Sequence, residues 1–230
     1  MRASRYNNKK GGFAVQSIRT VSILGDSIST YRGASNDSNA NETTRYNPYF
    51  YKAPFPLEKT YWMLLIKSLS LMLCVNNSWS GGNLSGRNNP DAGVNRAYHL
   101  AQNNGNKPDL IILFMGINDL GRKVDPAIFA ADYQKTLAIL CETYPNAFVC
   151  CVNLPNRDPI MKAQTELFNE IIEKSVTQAG KTFFIADLFH SELQNERYYN
   201  NTVDGLHPDE DGMKIIADVI RDAITKYFHK

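Results

Sequence analysis

Four short runs in this chain carry side chains that could share one reaction. Gly25-Asp26-Ser27 offers a hydroxyl, and Asp204-Gly205-Leu206-His207-Pro208 offers a carboxylate and an imidazole three residues apart. Ser80-Gly81-Gly82-Asn83 offers backbone N–H groups that glycine leaves open to a ligand, and Gly116-Ile117-Asn118-Asp119 offers a side-chain amide. A serine hydroxyl is a weak nucleophile at neutral pH unless a base takes its proton, and that base must be oriented by a third group. Attack on an acyl carbon also places negative charge on oxygen, which fixed N–H donors stabilise. The four runs supply each of those parts once, with Ser27 as nucleophile, His207 as base, Asp204 as its orienter and Asn118 among the donors.

Each run also has a plainer reading. G-D-S alone is a turn with a capping Ser or Asp, S-G-G-N a tight turn, and G-I-N-D another turn in which Asp119 pairs with backbone or a neighbouring loop. Asp204 and His207 alone could be a surface histidine in an acidic helix cap. The case for chemistry therefore depends on the elements that would bring the four together.

Those elements alternate. Short apolar, β-branched runs predict strands over 20–24, 73–77, 110–115, 147–152 and 182–186, and helix-period segments predict helices over 60–72, 126–143, 160–179 and 209–228. Pro126 suits a helix first turn and Gly180 a C-cap. Pro208 is expected to begin the last helix, whose first turn carries Asp209, Glu210 and Asp211 in keeping with the helix dipole. Five parallel strands covered on both faces make a three-layer α/β/α sandwich of the flavodoxin-like kind. Ligands of such sheets bind beyond the carboxyl ends of the strands, and the four runs fall at or after those predicted strand ends. The expected organisation is an N-terminal extension over 1–19 and a single domain over 20–230. One long insertion at 28–59 is rich in Asn, Ser and Tyr; its aromatics Tyr31, Tyr46, Tyr49, Phe50, Tyr51 and Phe55 favour an ordered flap.

Bulk properties exclude several alternatives. The chain has 230 residues, 43% of them hydrophobic, enough for one large domain with a substantial core. A net charge of +2 is too near balance to make nucleic acid or an anionic membrane the expected partner. No run reaches the ~18 apolar residues of a membrane span, and the basic start lacks the apolar stretch of a secretory signal. Cys74, Cys141, Cys150 and Cys151 show no metal-type spacing and read as buried free thiols. A cytoplasmic location is the corresponding expectation. No metal or other cofactor is expected, since neither H-x-x-x-H nor a carboxylate cluster with ligand spacing occurs.

In their order G-D-S, S-G-G, G-I-N-D and D-G-L-H-P, the four runs resemble the blocks of the SGNH (GDSL) hydrolase family, from about residue 20 to the end. The Asp and His three apart near the C-terminus, and the absence of a G-x-S-x-G elbow, separate the chain from α/β-hydrolases. The resemblance implies a serine esterase or acyl hydrolase with Ser27, Asp204 and His207 as its triad. It implies an oxyanion hole of the Ser27 N–H, a glycine N–H and the Asn118 amide. By position Gly81 is the better match for that glycine, with Gly82 the neighbour it could be confused with. Asp26, Gly82, Tyr31 and Trp79 are the candidate substrate contacts, with core packing the favoured reading of Trp79. His99, in an expected helix, His190, in a loop after the fifth strand, and the terminal His229 are weaker candidates for the base.

The expected activity is hydrolysis of short acyl, acetyl-type esters of carbohydrates or other polar alcohols, since aromatic rings stack on sugars and Asn side chains bond hydroxyls. Three rivals stay open. A transacylase would use the same acyl-enzyme, and a non-catalytic module would only bind acylated glycans. A flavin or phosphate binder would use Ser27, Ser29 and Thr30 as a phosphate loop.

Overall fold

The computed structural model describes residues 18–31 and 55–229. Most of the expected N-terminal extension and of the 28–59 insertion, including Tyr46, Tyr49, Phe50 and Tyr51, lies outside the described residues. Five strands pair in parallel in the order β2-β1-β3-β4-β5: β1 Thr20–Gly25, β2 Met72–Ser78, β3 Leu110–Phe114, β4 Phe148–Val152 and β5 Phe183–Ala186. All five residues of β3 are buried, because helices cover both sheet faces and leave no face to alternate toward water. The helices are α1 Tyr61–Leu69, α2 Gly93–Arg96, α3 Ile117–Gly121, α4 Pro126–Thr143, α5 Lys162–Ala179, α6 Glu196–Asn200 and α7 Glu210–Phe228. Helix α1 packs on α7, and α4 on α5, where Phe129 stacks on Phe168 with ring centroids 4.5 Å apart. The expected α/β/α sandwich is the observed architecture.

Several boundaries differ from expectation. The helix expected over 60–72 ends at Leu69: Ser70 turns left-handed at φ 54°, and its N–H and that of Leu71 both return to the Ile66 carbonyl. Met72 is thereby freed to open β2, opposite Thr20. The helix expected around His99 is only the four residues of α2, and His99 lies beyond it. Pro208 does not start α7. It bridges Thr202 in antiparallel fashion, while Asp209 caps the helix by accepting from the Gly212 N–H at 2.9 Å. The expectation of buried thiols holds for Cys74, Cys150 and Cys151 but fails for Cys141, which sits on the exposed side of α4.

Strand order decides where a site can form. From β1 the chain moves outward to β2, then returns across to β3 on the other side of β1. Loops leaving β1 and β3 therefore diverge, and the crevice between them is the topological switch point at which α/β sheets bind ligands.

Candidate active site

Gly25 closes β1 in a crowded place. A Cβ there would stand 2.4 Å from Ser29 Oγ and 2.8 Å from Ser78 Oγ, so only glycine lets the next turn fold back over the strand end. That turn is a single 3-10 turn, Ser27–Ser29, capped by Asp26, whose Oδ1 accepts from the Ile28 N–H at 3.0 Å. Thr30 Oγ1 donates to the Ser27 carbonyl, Asn76 Nδ2 to the Ser29 carbonyl, and the Ser29 and Tyr61 hydroxyls lie 2.7 Å apart. Ser27 is thus presented on a rigid turn at the mouth of the switch-point crevice.

His207 arrives from the other end of the chain, 180 residues away, and its Nε2 lies 3.0 Å from Ser27 Oγ. Its Nδ1 lies 2.8 Å from Asp204 Oδ2. Asp204 Oδ1 accepts the backbone N–H groups of Leu206 at 3.0 Å and His207 at 2.7 Å. Partial burial pushes this carboxyl up, but the His207 backbone and ring and the Leu206 N–H outweigh it and hold Asp204 below its ordinary range. An ionised Asp204 keeps the ring proton on Nδ1 and leaves the Nε2 lone pair facing the serine. The loop itself is held by the Val203 N–H on the His207 carbonyl, by the Thr202–Pro208 bridge, and by the buried Tyr198 hydroxyl, which donates to the Leu206 carbonyl at 2.6 Å.

The glycine loop after β2 faces the same crevice. Gly81 has φ +68°, a left-handed conformation that favours glycine. The Gly82 N–H is occupied by the Trp79 carbonyl at 3.1 Å, and Asn118 Nδ2 donates to the Gly82 carbonyl at 3.0 Å. Among the described residues no carbonyl accepts from the Gly81 N–H. Of the two glycines, Gly81 is therefore the one whose N–H no backbone carbonyl engages among the described residues. Asp119, fully buried, accepts the Leu84 and Ser85 N–H groups at 2.7 and 2.9 Å and so pins the loop, the structural part expected of it.

Two residues that sequence reasoning missed hold these pieces in register. Arg96, 4% exposed, donates to the carbonyls of Asn77 at the end of β2, Gly25 at the end of β1 (3.1 Å) and Asp91 (2.8 Å). It also meets Met115 Sδ at 3.4 Å just past β3. One guanidinium thus ties three strand ends together, and nothing in a lone Arg of a short helix announces that. Tyr198 is the other, one of many Tyr in the sequence and legible only once its hydroxyl is seen on the His207 loop.

The candidate substrate contacts divide. Asp26 is 1% exposed and spent on capping, so it lies under the nucleophile rather than at the mouth. Burial pushes its carboxyl up to about 7 against the opposing pull of the Ile28 N–H and Arg96. Gly82 has both backbone groups engaged within the protein. Tyr31 is half-buried with its hydroxyl donating to the Phe55 carbonyl at 3.2 Å, and Trp79 is half-buried beside the glycine loop. Of the other histidines, His190 forms a second Asp-x-x-His pair, its Nδ1 2.8 Å from Asp187 Oδ2, but it stands exposed after β5. His229 caps the end of α7.

A family model described as GDSL-like Lipase/Acylhydrolase matches residues 19–224. No curated protein sequence matches the chain. Among solved structures, a protein of Bacteroides ovatus described as a GDSL-like lipase is 24% identical with a TM-score of 0.67, over 92% of this chain and 100% of that one. A family two carbohydrate esterase from Clostridium thermocellum, in complex with cellohexaose, is 16% identical with a TM-score of 0.65, over 90% of this chain and 64% of the esterase. TesA is 17% identical with a TM-score of 0.63, over 91% of this chain and 99% of its own. At these identities the structural likenesses establish a shared fold.

Proposed function

The chain belongs to the GDSL-like lipase/acylhydrolase family and is an esterase, and on that premise we propose that it cleaves short acyl esters through an acyl-enzyme on Ser27. The observation that carries this reading is the unbroken hydrogen-bonded line from Ser27 Oγ through His207 to Asp204, with steps of 3.0 and 2.8 Å. Ser27 Oγ attacks the ester carbonyl while its proton passes to His207 Nε2. The oxyanion sits against the Gly81 N–H, the Ser27 N–H and the Asn118 amide. The intermediate collapses, and His207 returns the proton to the departing alcohol. Water then gives its proton to His207, attacks the acyl carbon, and releases the acid with Ser27 restored.

The alcohol side is proposed to be a carbohydrate or similarly polar group. The carbohydrate esterase among the fold relatives supports that reading. So do Tyr31 and Trp79, half-buried within a few residues of the nucleophile and the glycine loop.

Hydrolysis of p-nitrophenyl esters from acetate to palmitate, with Ser27→Ala beside the wild type, tests both claims. Turnover that falls with chain length and vanishes in Ser27→Ala is expected. A palmitate optimum would overturn the short-acyl assignment. A wild-type enzyme that neither hydrolyses any ester nor reacts with a serine-directed fluorophosphonate would overturn the acyl-enzyme itself.

A further inference from the structure

Helix α3 carries Asn118, and Arg122, four residues later, is its C-cap, so the two side chains lie one turn apart. They reach consecutive carbonyls of the glycine loop. Asn118 Nδ2 donates to Gly82 at 3.0 Å and Arg122 Nη1 to Gly81 at 2.7 Å. Arg122 Nη1 also donates to Asn83 Oδ1, which holds the guanidinium over the loop. Arg122 Nη2 lies 3.3 Å from where a Gly81 Cβ would be, so the side chain lies directly against Gly81.

The peptide between Gly81 and Gly82 has no Cβ on either side and meets little steric resistance to rotation. Its N–H is tied to the Trp79 carbonyl and its C=O to Arg122. We propose that Arg122 is a positioning residue of the oxyanion hole: by fixing the carbonyl side of Gly81 it limits rotation at that residue, whose N–H belongs to the preceding peptide, so that the Gly81 N–H and the Asn118 amide converge on one point. The proposal rests on the acyl-enzyme reading above. On it, α3 supplies one donor directly and fixes the second through the arginine that caps its C-terminus. The two donors come from loops after different strands, yet one helix sets their separation. Arg122 touches only the loop and acts only as negative charge develops on the substrate oxygen. Its loss must then fall on kcat and spare KM.

Arg122→Met and Arg122→Lys, made beside the wild type, test this by steady-state kinetics on p-nitrophenyl acetate, the rate of fluorophosphonate labelling, and Tm. The side chain is exposed, so both variants should fold. Arg122→Met is expected to lose about tenfold in kcat and in labelling rate, less than the ~10²–10³-fold of deleting a donor outright. KM and Tm should stay at wild-type values. Arg122→Lys, which can still donate to the Gly81 carbonyl, should recover most of the loss. A Met variant within twofold of wild type would overturn the proposal. So would a raised KM at unchanged kcat, which would make Arg122 a substrate contact, or a fall in Tm that accounts for the lost rate. A wild type that is neither active nor labelled would instead bring down the acyl-enzyme reading, and this proposal with it.

Discussion

His207 and His190 carry the same local chemistry, an imidazole whose Nδ1 is 2.8 Å from the carboxylate three residues before it. Only His207 has a serine hydroxyl on its other nitrogen. His207→Ala should therefore lower kcat by several orders of magnitude, whereas His190→Ala should leave it within twofold on the same acetyl ester. Equal losses would mean that the orienting carboxylate, and not the serine contact, marks the base. Asp26 makes a different prediction. Unfolded, its carboxyl titrates near 3.8; folded, burial raises it to about 7. Between those values the folded chain holds a proton that the unfolded chain has released, so the stability this group contributes is complete below pH 4 and falls as pH rises toward 7. Asp26→Asn keeps an oxygen for the Ile28 N–H and removes the titration. In thermal melts from pH 4 to pH 8, the variant should gain on the wild type up to about pH 7 and run parallel above it. Curves parallel throughout would show that Asp26 is ionised across the whole range.

At the scale of elements, the turn that presents Ser27 depends on what its neighbours leave no room for. Gly25→Ala would drive a methyl group into Ser29 and Ser78. The turn must then shift, and a displacement of even 1 Å at a nucleophile can cost about 10²-fold in rate. The expected outcome is a large loss of kcat with a Tm lowered by only a few degrees; full activity would show that the turn relaxes without moving Ser27. The elements were legible in the sequence where local pattern decided them: the β3 run of apolar residues, Pro126 at the start of α4, Gly180 at the end of α5, and the four motif runs. They were illegible where tertiary contacts decided. The helix around His99 shrinks to α2, whose Arg96 is drawn inward to the strand ends. Pro208, a fair helix starter by type, is used instead to bridge Thr202. Asp26 reads as a substrate contact in the sequence because its neighbour is the nucleophile, but its carboxylate is buried and caps the turn beneath the site.

Across the whole molecule, the candidate triad joins regions of very different security. Ser27 and Asn118 follow β1 and β3, central strands whose residues are almost entirely buried. His207 rides on a loop between α6 and α7 that is partly exposed. That loop is tied down by the Tyr198 hydroxyl, one antiparallel bridge and the Val203–His207 backbone bond. Segments with few buried contacts open at lower free energy than the core. In urea, esterase activity should therefore be lost at a lower concentration than the far-UV signal of the sheet and long helices. In hydrogen exchange the Leu110–Phe114 amides should be the slowest. Tyr198→Phe sharpens the test. It leaves the half-buried Leu206 carbonyl without its donor, a cost at or below the low end of the about 1–3 kcal/mol of a fully buried group, and that cost falls on the loop before it reaches the sheet. The gap between the two urea midpoints should widen in this variant. If activity and secondary structure instead vanish together in both proteins, the His207 loop unfolds only with the core and is held by more than these three ties.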